Sequence, residues 1–357
     1  MNQFSPDAPE SAGRPFGTLI HLGQPKTATT FLQLFLFNQH SQVTYLGKIE
    51  GRETTFCSQE ISNVARCLRQ PTHPEYYQEH DKCREILARI REPEKLLIFS
   101  DEAYTYGPLH IKQKQAELFG QFFGDSRILL TVREPLSLME SLYLQELRGY
   151  HYHKMSYKRL IKQFGAPPRY FSVEDWLEAN WNFPNRGAFS HLQVADTAEA
   201  YAEVFGKENV MIRLYEELKQ DNLAFVRRLS EEIGIDAAES ERLCENQNAS
   251  KNARWKEAHV ERLKLFNRSP LLRWKYRYLK NPNDLKRFLG VLGPDQIVDS
   301  PNARAEFPPE WRERIVHIGN EQLTRLKTRW DVPLERYGYP VADQSERPDY
   351  GGNREAA

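Results

Sequence analysis

The sequence has no excess of charge of either sign and no long apolar run. Its 357 residues include 49 Lys and Arg against 49 Asp and Glu, which gives a formal net charge of zero. Proteins that bind nucleic acids neutralise phosphates with an excess of basic residues, so we predict no nucleic-acid partner. Uninterrupted apolar stretches of about 18 residues are absent, and the sequence therefore predicts no membrane-spanning helix.

Cysteine is scarce, and the start of the chain lacks the pattern of a secretory signal. Cysteines at positions 57, 67, 83 and 244 form no C-x-x-C pair. This spacing argues against a zinc or redox motif and favours reduced thiols. Residues 1–16 have neither a basic start nor an apolar segment. We therefore expect a cytoplasmic protein whose polar ends, 1–16 and 343–357, are disordered.

Apolar runs that alternate with helical patterns predict an α/β fold. The runs span residues 18–22, 95–100, 127–132 and 209–215, and the helical patterns span 30–37, 111–123, 135–149 and 222–233. Such alternation is typical of a mostly parallel sheet with helices on both faces. We predict a P-loop-like core at 17–255 that contains a helical, aromatic insertion at 150–190. A helical C-terminal extension follows at 256–342.

The turn at 23–30 has the composition of an anion site. It joins a predicted strand to a predicted helix, where unpaired N–H groups and the helix dipole favour negative charge. Gly23 permits a tight turn, Lys26 adds a positive charge, and Thr27, Thr29 and Thr30 add hydroxyl donors. No glycine directly precedes Lys26, and no strand ending in a magnesium-binding aspartate is evident. The turn therefore differs from a Walker A motif, and we predict no metal.

Residues 24–32 (QPKTATTFL) resemble the 5′-phosphosulfate loop of sulfotransferases. These enzymes use 3′-phosphoadenosine 5′-phosphosulfate (PAPS) and release adenosine 3′,5′-bisphosphate (PAP). Ala28 replaces the glycine that is usual in the family, and we expect it to have a negative φ in the first helical turn. The resemblance implies that the whole loop contacts the donor, namely Gln24, Pro25, Lys26, Thr27, Ala28, Thr29 and Thr30.

Three further stretches within residues 17–255 resemble the same family. Residues 133–141 (REPLSLMES) are similar to its 3′-phosphate motif, which implies that Arg133 and Ser141 bind that phosphate. Residues 210–219 are similar to its strand and YEDL segment, which implies either an adenine contact or a core position for Tyr215. Residues 246–255 occupy the region of a loop that closes over the nucleotide. There Lys251 and Arg254 are candidate phosphate ligands, although a solvated polar loop is the alternative.

Catalysis requires a cation at the leaving oxygen and a base at the acceptor hydroxyl. We expect Lys26 to supply the cation. Glu102 is the preferred base because it follows a predicted strand at the ligand-binding edge of the sheet. Asp101, Glu50 and His21 are the alternatives, with His21 favoured as a core residue.

The acceptor is predicted only as a hydroxyl of a carbohydrate, glycolipid or small metabolite. Trp176 and Trp181, in the predicted insertion, either bind such a ring or anchor the insertion to the core. The basic segment 263–288 either contacts an anionic glycan or a membrane surface, or is a solvated helix face. A P-loop kinase or NTPase and a non-catalytic nucleotide-binding protein remain alternative functions. The sequence predicts no oligomeric state.

Overall fold

A five-stranded, entirely parallel sheet forms the centre of the computed structural model. The structure describes residues 17–49, 56–148, 171–182, 187–245, 247, 256–268 and 300–340. The strands are β1 (Thr18–His21), β2 (Val43–Gly47), β3 (Leu96–Ser100), β4 (Arg127–Val132) and β5 (Val210–Leu214). They lie in the order β2-β3-β1-β4-β5, and every neighbouring pair is parallel. The predicted α/β class is therefore confirmed.

Helices connect the strands and cover the sheet. They are α1 (Thr29–Phe31), α2 (Gln59–Arg69), α3 (Pro74–Tyr77), α4 (His80–Ile90), α5 (Leu109–Phe123), α6 (Pro135–Arg148), α7 (Val173–Trp181), α8 (Val194–Phe205), α9 (Tyr215–Gln220), α10 (Asn222–Ile233), α11 (Ala237–Cys244), α12 (Glu257–Arg268) and α13 (Pro309–Trp330). A π-helical segment, Leu32–Phe37, continues α1, and 3₁₀ turns form at Glu102–Tyr104 and Ala188–Leu192. Within the described residues, no helix is long and apolar enough to cross a membrane.

Side chains that alternate along the strands build apolar cores on the two faces of the sheet. Ile20 and Phe99 belong to the core that also contains residues of α2, α4, α5, α8 and α13. Leu19 and Ile98 belong to the opposite core, with the π-helical segment, α10 and α11. Successive strand residues point to opposite faces, so these apolar strands are covered on both sides.

Strand β2 was absent from the four strands predicted. It pairs with β3 at one edge of the sheet, from Val43 opposite Leu96 to Gly47 opposite Ser100. Its sequence, VTYLG, contains β-branched and aromatic residues and ends in glycine, which is typical of a strand. The run is short, and it follows closely on the apolar helical pattern before it. The signal for this strand was therefore present but weak.

The segment after α1 is wider than an α-helix. The N–H of Asn38 donates to the carbonyl of Gln33 at 3.1 Å, a bond that spans five residues. Phe35 and Phe37 are buried, as the apolar sequence predicted. Gln33 is also buried, and its amide donates to Ser100 Oγ at 3.0 Å. The π-helical segment thus packs a polar side chain beneath the end of β3.

The C-terminal part of the chain joins the main core. Leu323 and Leu326 of α13 share an apolar cluster with Ile20 of β1. Gln322 Oε1 accepts from the N–H of Ala195 at 3.0 Å and so caps the start of α8. The predicted boundary between 255 and 256 stays a prediction, as does the extent of the insertion at 150–190, of which the structure describes only part.

Candidate active site

The loops that follow the five strands meet at one edge of the sheet. Because all strands are parallel, their carboxyl ends share that edge, where α/β proteins bind ligands. The residues that follow strands β1 to β5 there are, in chain order, Lys26, Lys48, Glu102, Arg133 and Tyr215. Strand order places the loop after β1 between those after β3 and β4. The Lys26 loop therefore lies between the loop that carries Asp101 and Glu102 and the loop that carries Arg133.

The loop after β1 contains two non-glycine residues with left-handed backbone. Lys26 has φ 69° and Ala28 has φ 59° and ψ 27°. The expected negative φ at Ala28 is therefore wrong. The chain curls before α1 begins at Thr29, and this curl needs the left-handed conformation that glycine adopts without strain. Left-handed residues at alternate positions are the kind of backbone that turns N–H groups towards an anion.

Hydrogen bonds to the end of β4 hold this loop. The N–H of Gln24 donates to Thr131 O at 3.0 Å, and Thr27 Oγ1 donates to Gln24 O at 2.7 Å. Thr27 Oγ1 also lies 2.6 Å from Thr131 Oγ1. Because the Thr27 proton is donated to Gln24, the Thr131 hydroxyl is the donor in this second hydrogen bond. The hydroxyl proton of Thr27 is thus used inside the loop, and Thr27 is left to contact a ligand through its backbone. A Cβ on Gly23 would lie 2.5 Å from Thr131 Oγ1, so only glycine fits there.

Arg133 connects the loop after β4 to the Lys26 loop. Its Nη1 donates to the carbonyl of Lys26 at 2.8 Å. Its Nε and Nη2 donate to Ser137 Oγ at 3.0 and 2.7 Å, and its guanidinium lies 4.6 Å from the ring centre of Tyr215. The structure therefore brings together Lys26, Arg133 and Tyr215. Ser141 lies one turn beyond Ser137 on the same face of α6.

Gln24 is a bridge within the protein. Its Oε1 accepts from the N–H of Arg133 at 2.9 Å, and its Nε2 donates to the carbonyl of His191. The side chain is buried, so its amide is used to join the loops after β1 and β4 to the 3₁₀ turn at Ala188–Leu192. Its neighbour Pro25 is half-buried, as are Lys26, Ala28 and Thr30, whereas Thr29 is buried.

The C-terminal segment supports the Arg133 side of the site. Tyr339 is buried, and its hydroxyl contacts both Val132 O, at 3.2 Å, and the carboxylate of Glu216. Glu216 in turn accepts from the N–H of Glu134 at 3.5 Å. Burial raises the pKa of Glu216, although Tyr339 and Arg133 act against this shift. The residues that flank Arg133 and Tyr215 are therefore fixed from the far end of the chain.

An ion-pair network lies on the β3 side of the site. Asp101 is fully buried, and its Oδ2 accepts from Arg69 Nε and Nη2 at 2.9 and 2.6 Å, while Lys48 Nζ lies 3.1 Å from its Oδ1. Burial alone would raise the pKa of Asp101, but Lys48 and Arg69 outweigh it and lower that pKa. Lys48 Nζ also lies 3.1 Å from Glu102 Oε1. The Glu102 side chain is 32% exposed, so it is the accessible carboxylate of the pair.

His21 lies beneath the loop and does not open onto it. It is 1% exposed, and its Nδ1 lies 2.8 Å from Ser100 Oγ. Burial lowers the pKa of His21 to about 3, so the ring is neutral at pH 7. Its Nε2 has no hydrogen-bond partner among the described residues. This burial agrees with the core position that the sequence favoured for His21.

The predicted aromatic residues contact neighbouring helices, and other predicted residues lie outside the described part of the chain. Trp176 is fully buried and its Nε1 donates to Glu146 Oε2 at 2.9 Å, so it anchors α7 in the core. Trp181 is 41% exposed, but Arg314 lies 5.4 Å from its ring centre. The described part of the chain does not include Glu50, Lys251, Arg254 or residues 269–288 of the basic segment, for which predictions were made.

Sequence reasoning missed several residues that shape the site. Lys48 follows β2, and it was overlooked because that strand was not recognised. Ser137, the hydroxyl partner of Arg133, lies within the motif at 133–141 but was passed over in favour of Ser141. Arg69 and Tyr339 are remote in sequence from their partners. No local pattern could have indicated these two.

Comparison with known proteins identifies a family. A family model described as the sulfotransferase domain matches residues 18–280. The chain is similar to the sulfotransferase from Alicyclobacillus acidocaldarius, with 15% identity and a TM-score of 0.47 over 91% of this chain and 99% of that chain. It is also similar to mouse sulfotransferase SULT7A1 complexed with PAP, with 15% identity and a TM-score of 0.40 over 87% of this chain and 85% of that chain. No curated protein matches the chain.

The family match covers well over half of the chain and includes the whole sheet edge. The five parallel strands, the left-handed loop around Lys26 and the Arg133 contact all lie within residues 18–280. The chain therefore belongs to the sulfotransferase family and is an enzyme that transfers sulfuryl groups.

Proposed function

We propose that this enzyme moves a sulfuryl group from PAPS to a hydroxyl of a carbohydrate, glycolipid or small metabolite, and releases PAP. One observation carries the proposal: Arg133 Nη1 bonds the carbonyl of Lys26 at 2.8 Å. The Arg133 guanidinium is thereby held against the backbone of Lys26, and the two residues follow neighbouring strands at one edge of the sheet. A nucleotide with phosphates at both its 3′ and 5′ positions needs two such anion sites close together.

The residues of the loop fit the 5′ end of such a donor. The first N–H groups of α1 have no partner inside that helix, and the left-handed residues before it curl the backbone. Thr29 and Thr30 contribute backbone and hydroxyl donors, and Lys26 contributes a full charge. When bound, PAPS supplies an activated sulfuryl group on a phosphate leaving group. Lys26 would stabilise the negative charge that develops on the leaving oxygen.

Arg133, Ser141 and Tyr215 fit the nucleoside and 3′-phosphate end. Arg133 offers a planar set of N–H donors suited to a phosphate. Ser141 lies on the same face of α6 as Ser137, which Arg133 already contacts. The ring of Tyr215 lies under the guanidinium and belongs to the same corner of the site. Lys251 and Arg254 stay candidates for this phosphate on the strength of the sequence resemblance.

Glu102 is the base that the contacts favour. Both oxygens of Asp101 are bonded, one to Arg69 and the other to Lys48, and the side chain is buried. His21 is buried and its low pKa makes it a poor acceptor of protons at pH 7. Glu102 has one oxygen paired with Lys48 and a partly exposed side chain. It would take the proton from the acceptor hydroxyl as the hydroxyl attacks sulfur.

Transfer of radiolabelled sulfuryl from PAPS to a panel of acceptors tests the function. The panel contains neutral and anionic oligosaccharides, glycolipids in vesicles, and phenolic or alcoholic metabolites. Lys26→Ala should lower turnover about 100- to 1000-fold, the cost of removing one electrostatic donor. Lys95→Ala is the control, because Lys95 pairs only with Glu92 at the surface among the contacts described. Near-normal turnover by Lys26→Ala would remove Lys26 from the chemistry.

Glu102→Gln tests the base separately from donor binding. It should bind PAP normally and lose about 100-fold or more in transfer, since a general base contributes on that scale. Glu117→Gln, which changes a surface partner of Lys114, is the control. Unchanged transfer by Glu102→Gln would end its role as the base and leave Glu50, which lies outside the described residues, as the next candidate.

Calorimetric titrations test PAPS as the donor. PAP binding that is independent of Mg²⁺ supports the proposal. ATP binding that requires Mg²⁺, without PAP binding, would contradict PAPS as the donor. Tight PAP binding without transfer to any member of the panel would contradict the proposed acceptor classes.

A further inference from the structure

The backbone around Lys26 is held in a conformation that needs outside support. A left-handed non-glycine residue is strained and persists only where its surroundings fix it. Lys26 and Ala28 are both left-handed, with one residue between them. Within the loop, the hydrogen bond from Thr27 Oγ1 to Gln24 O spans Lys26 but does not involve the atoms of the Lys26–Thr27 peptide. Arg133 contacts that peptide directly, through the Lys26 carbonyl.

Arg133 is itself rigidly placed. It is 7% exposed, and its guanidinium bonds Ser137 Oγ through two nitrogens and stacks on Tyr215. Its remaining terminal nitrogen, Nη1, bonds the Lys26 carbonyl. The guanidinium fork thus spans from the first turn of α6 to the loop after β1. A planar, multiply bonded group of this kind holds a partner in one orientation.

Fixing the Lys26 carbonyl also fixes the next N–H group. The described peptide bonds include no cis bond, and in a trans peptide the C=O and N–H point in opposite directions. The Thr27 N–H must therefore point away from Arg133. Because the Thr27 hydroxyl is already used inside the loop, this N–H is the group through which Thr27 can contact an anion. Arg133 consequently sets the direction of a donor that it does not touch.

We propose that Arg133 is a positioning residue for the Lys26–Thr27 peptide, in addition to its proposed contact with the 3′-phosphate. The inference rests on the proposed function, since it assigns the residue a second task in the same site. Losing Arg133 should therefore have two separate consequences. One is the loss of a phosphate contact, and the other is relaxation of the loop that carries Lys26.

Hydrogen exchange of the nucleotide-free enzyme tests the positioning role without any ligand. Arg133→Ala should accelerate amide exchange in peptides that cover residues 22–31, whereas the exposed surface variant Arg227→Ala should not. If Arg133→Ala does not fold, Arg133→Lys serves, because one ammonium group cannot reproduce the fork that joins Lys26 and Ser137. Unchanged exchange in these peptides would overturn the proposal.

Adenosine 5′-phosphosulfate, which lacks the 3′-phosphate, provides the matching kinetic test. If Arg133 only binds the 3′-phosphate, Arg133→Ala should use this truncated donor as well as the wild type does. The positioning role predicts a loss of about 100-fold with the truncated donor, the scale of a small misplacement in an active site. Guanidinium ion should restore part of that activity. Absence of transfer from PAPS by the wild type would instead refute the proposed function, and the exchange experiment would still decide the positioning role.

Discussion

At the scale of single residues, the site depends on conformations that composition does not reveal. The sequence allowed Lys26, the threonines and Arg133 to be proposed as anion ligands, because these residue types and their place after a strand suit that chemistry. It did not indicate that Lys26 and Ala28 would be left-handed, since alanine favours a negative φ. Nor did it indicate that Thr27 and Gln24 would use their polar side chains within the protein.

Ala28→Gly should stabilise the enzyme. Relief of left-handed strain is worth about 1–2 kcal/mol, and the greater freedom of glycine in the unfolded chain costs about 0.4–1 kcal/mol. The expected result is a gain of up to about 1.6 kcal/mol in the free energy of unfolding, measured by urea denaturation. Ala88→Gly is the control, because Ala88 is exposed inside α4 and should lose about 1 kcal/mol. A loss of equal size in both variants would contradict the strain at Ala28.

His21 should make stability depend on pH. Its pKa is about 3 in the folded enzyme and about 6.5 in an unfolded chain, so between these values the unfolded state binds more protons. The free energy of unfolding should therefore fall as pH decreases from about 6.5 towards 3, by up to about 1.4 kcal/mol per pH unit. His21→Asn should flatten this slope in denaturation curves measured across the range. An identical slope in both proteins would show that His21 does not titrate in this way.

At the scale of elements, the repeated unit of strand, turn and helix was predictable. The order of the strands in the sheet was not, and neither were the side-chain contacts that depend on this order. Strand β4 and helix α6 follow the sequence closely, because Pro135 begins the helix. The network of Lys48, Arg69 and Asp101 joins residues after β2, in α2 and after β3. It depends on β2 lying beside β3, which strand patterns alone do not determine. Glu102 could be chosen from sequence, but the burial of Asp101 beside it could not.

Tyr339→Phe tests the support that the C-terminal segment gives to the Arg133 side. The variant leaves Glu216 without its hydroxyl partner, and loss of such a buried hydrogen bond should cost about 1–3 kcal/mol of stability. We expect thermal denaturation at a lower temperature and weaker PAP binding, because Glu216 contacts the backbone of Glu134 beside Arg133. Tyr337→Phe, two residues earlier and partly exposed, should change neither. Equal effects of the two variants would argue against a specific role for Tyr339.

At the scale of the whole molecule, segments far apart in sequence build one corner of the site. Tyr339 contacts Val132 across 207 positions, and α13 packs in the core that contains β1. The resemblance recognised from sequence ended at 255, so the contribution of residues 303–340 came only from the structure. Sequence patterns report local periodicity, and they carry no information on which distant segments meet. The loops proposed to bind anions could therefore be located from sequence, while the scaffold that holds them could not.

The central claim is that the Lys26 loop and Arg133 hold opposite ends of one nucleotide. Isothermal titration of the wild type and Arg133→Ala with PAP and with adenosine 5′-monophosphate tests it most directly. For the wild type, a charge-assisted contact to the 3′-phosphate predicts PAP binding about 10- to 100-fold tighter than the monophosphate. Arg133→Ala should abolish most of that difference. Equal affinity of the wild type for both nucleotides, or a preference for PAP that survives in Arg133→Ala, would contradict the claim.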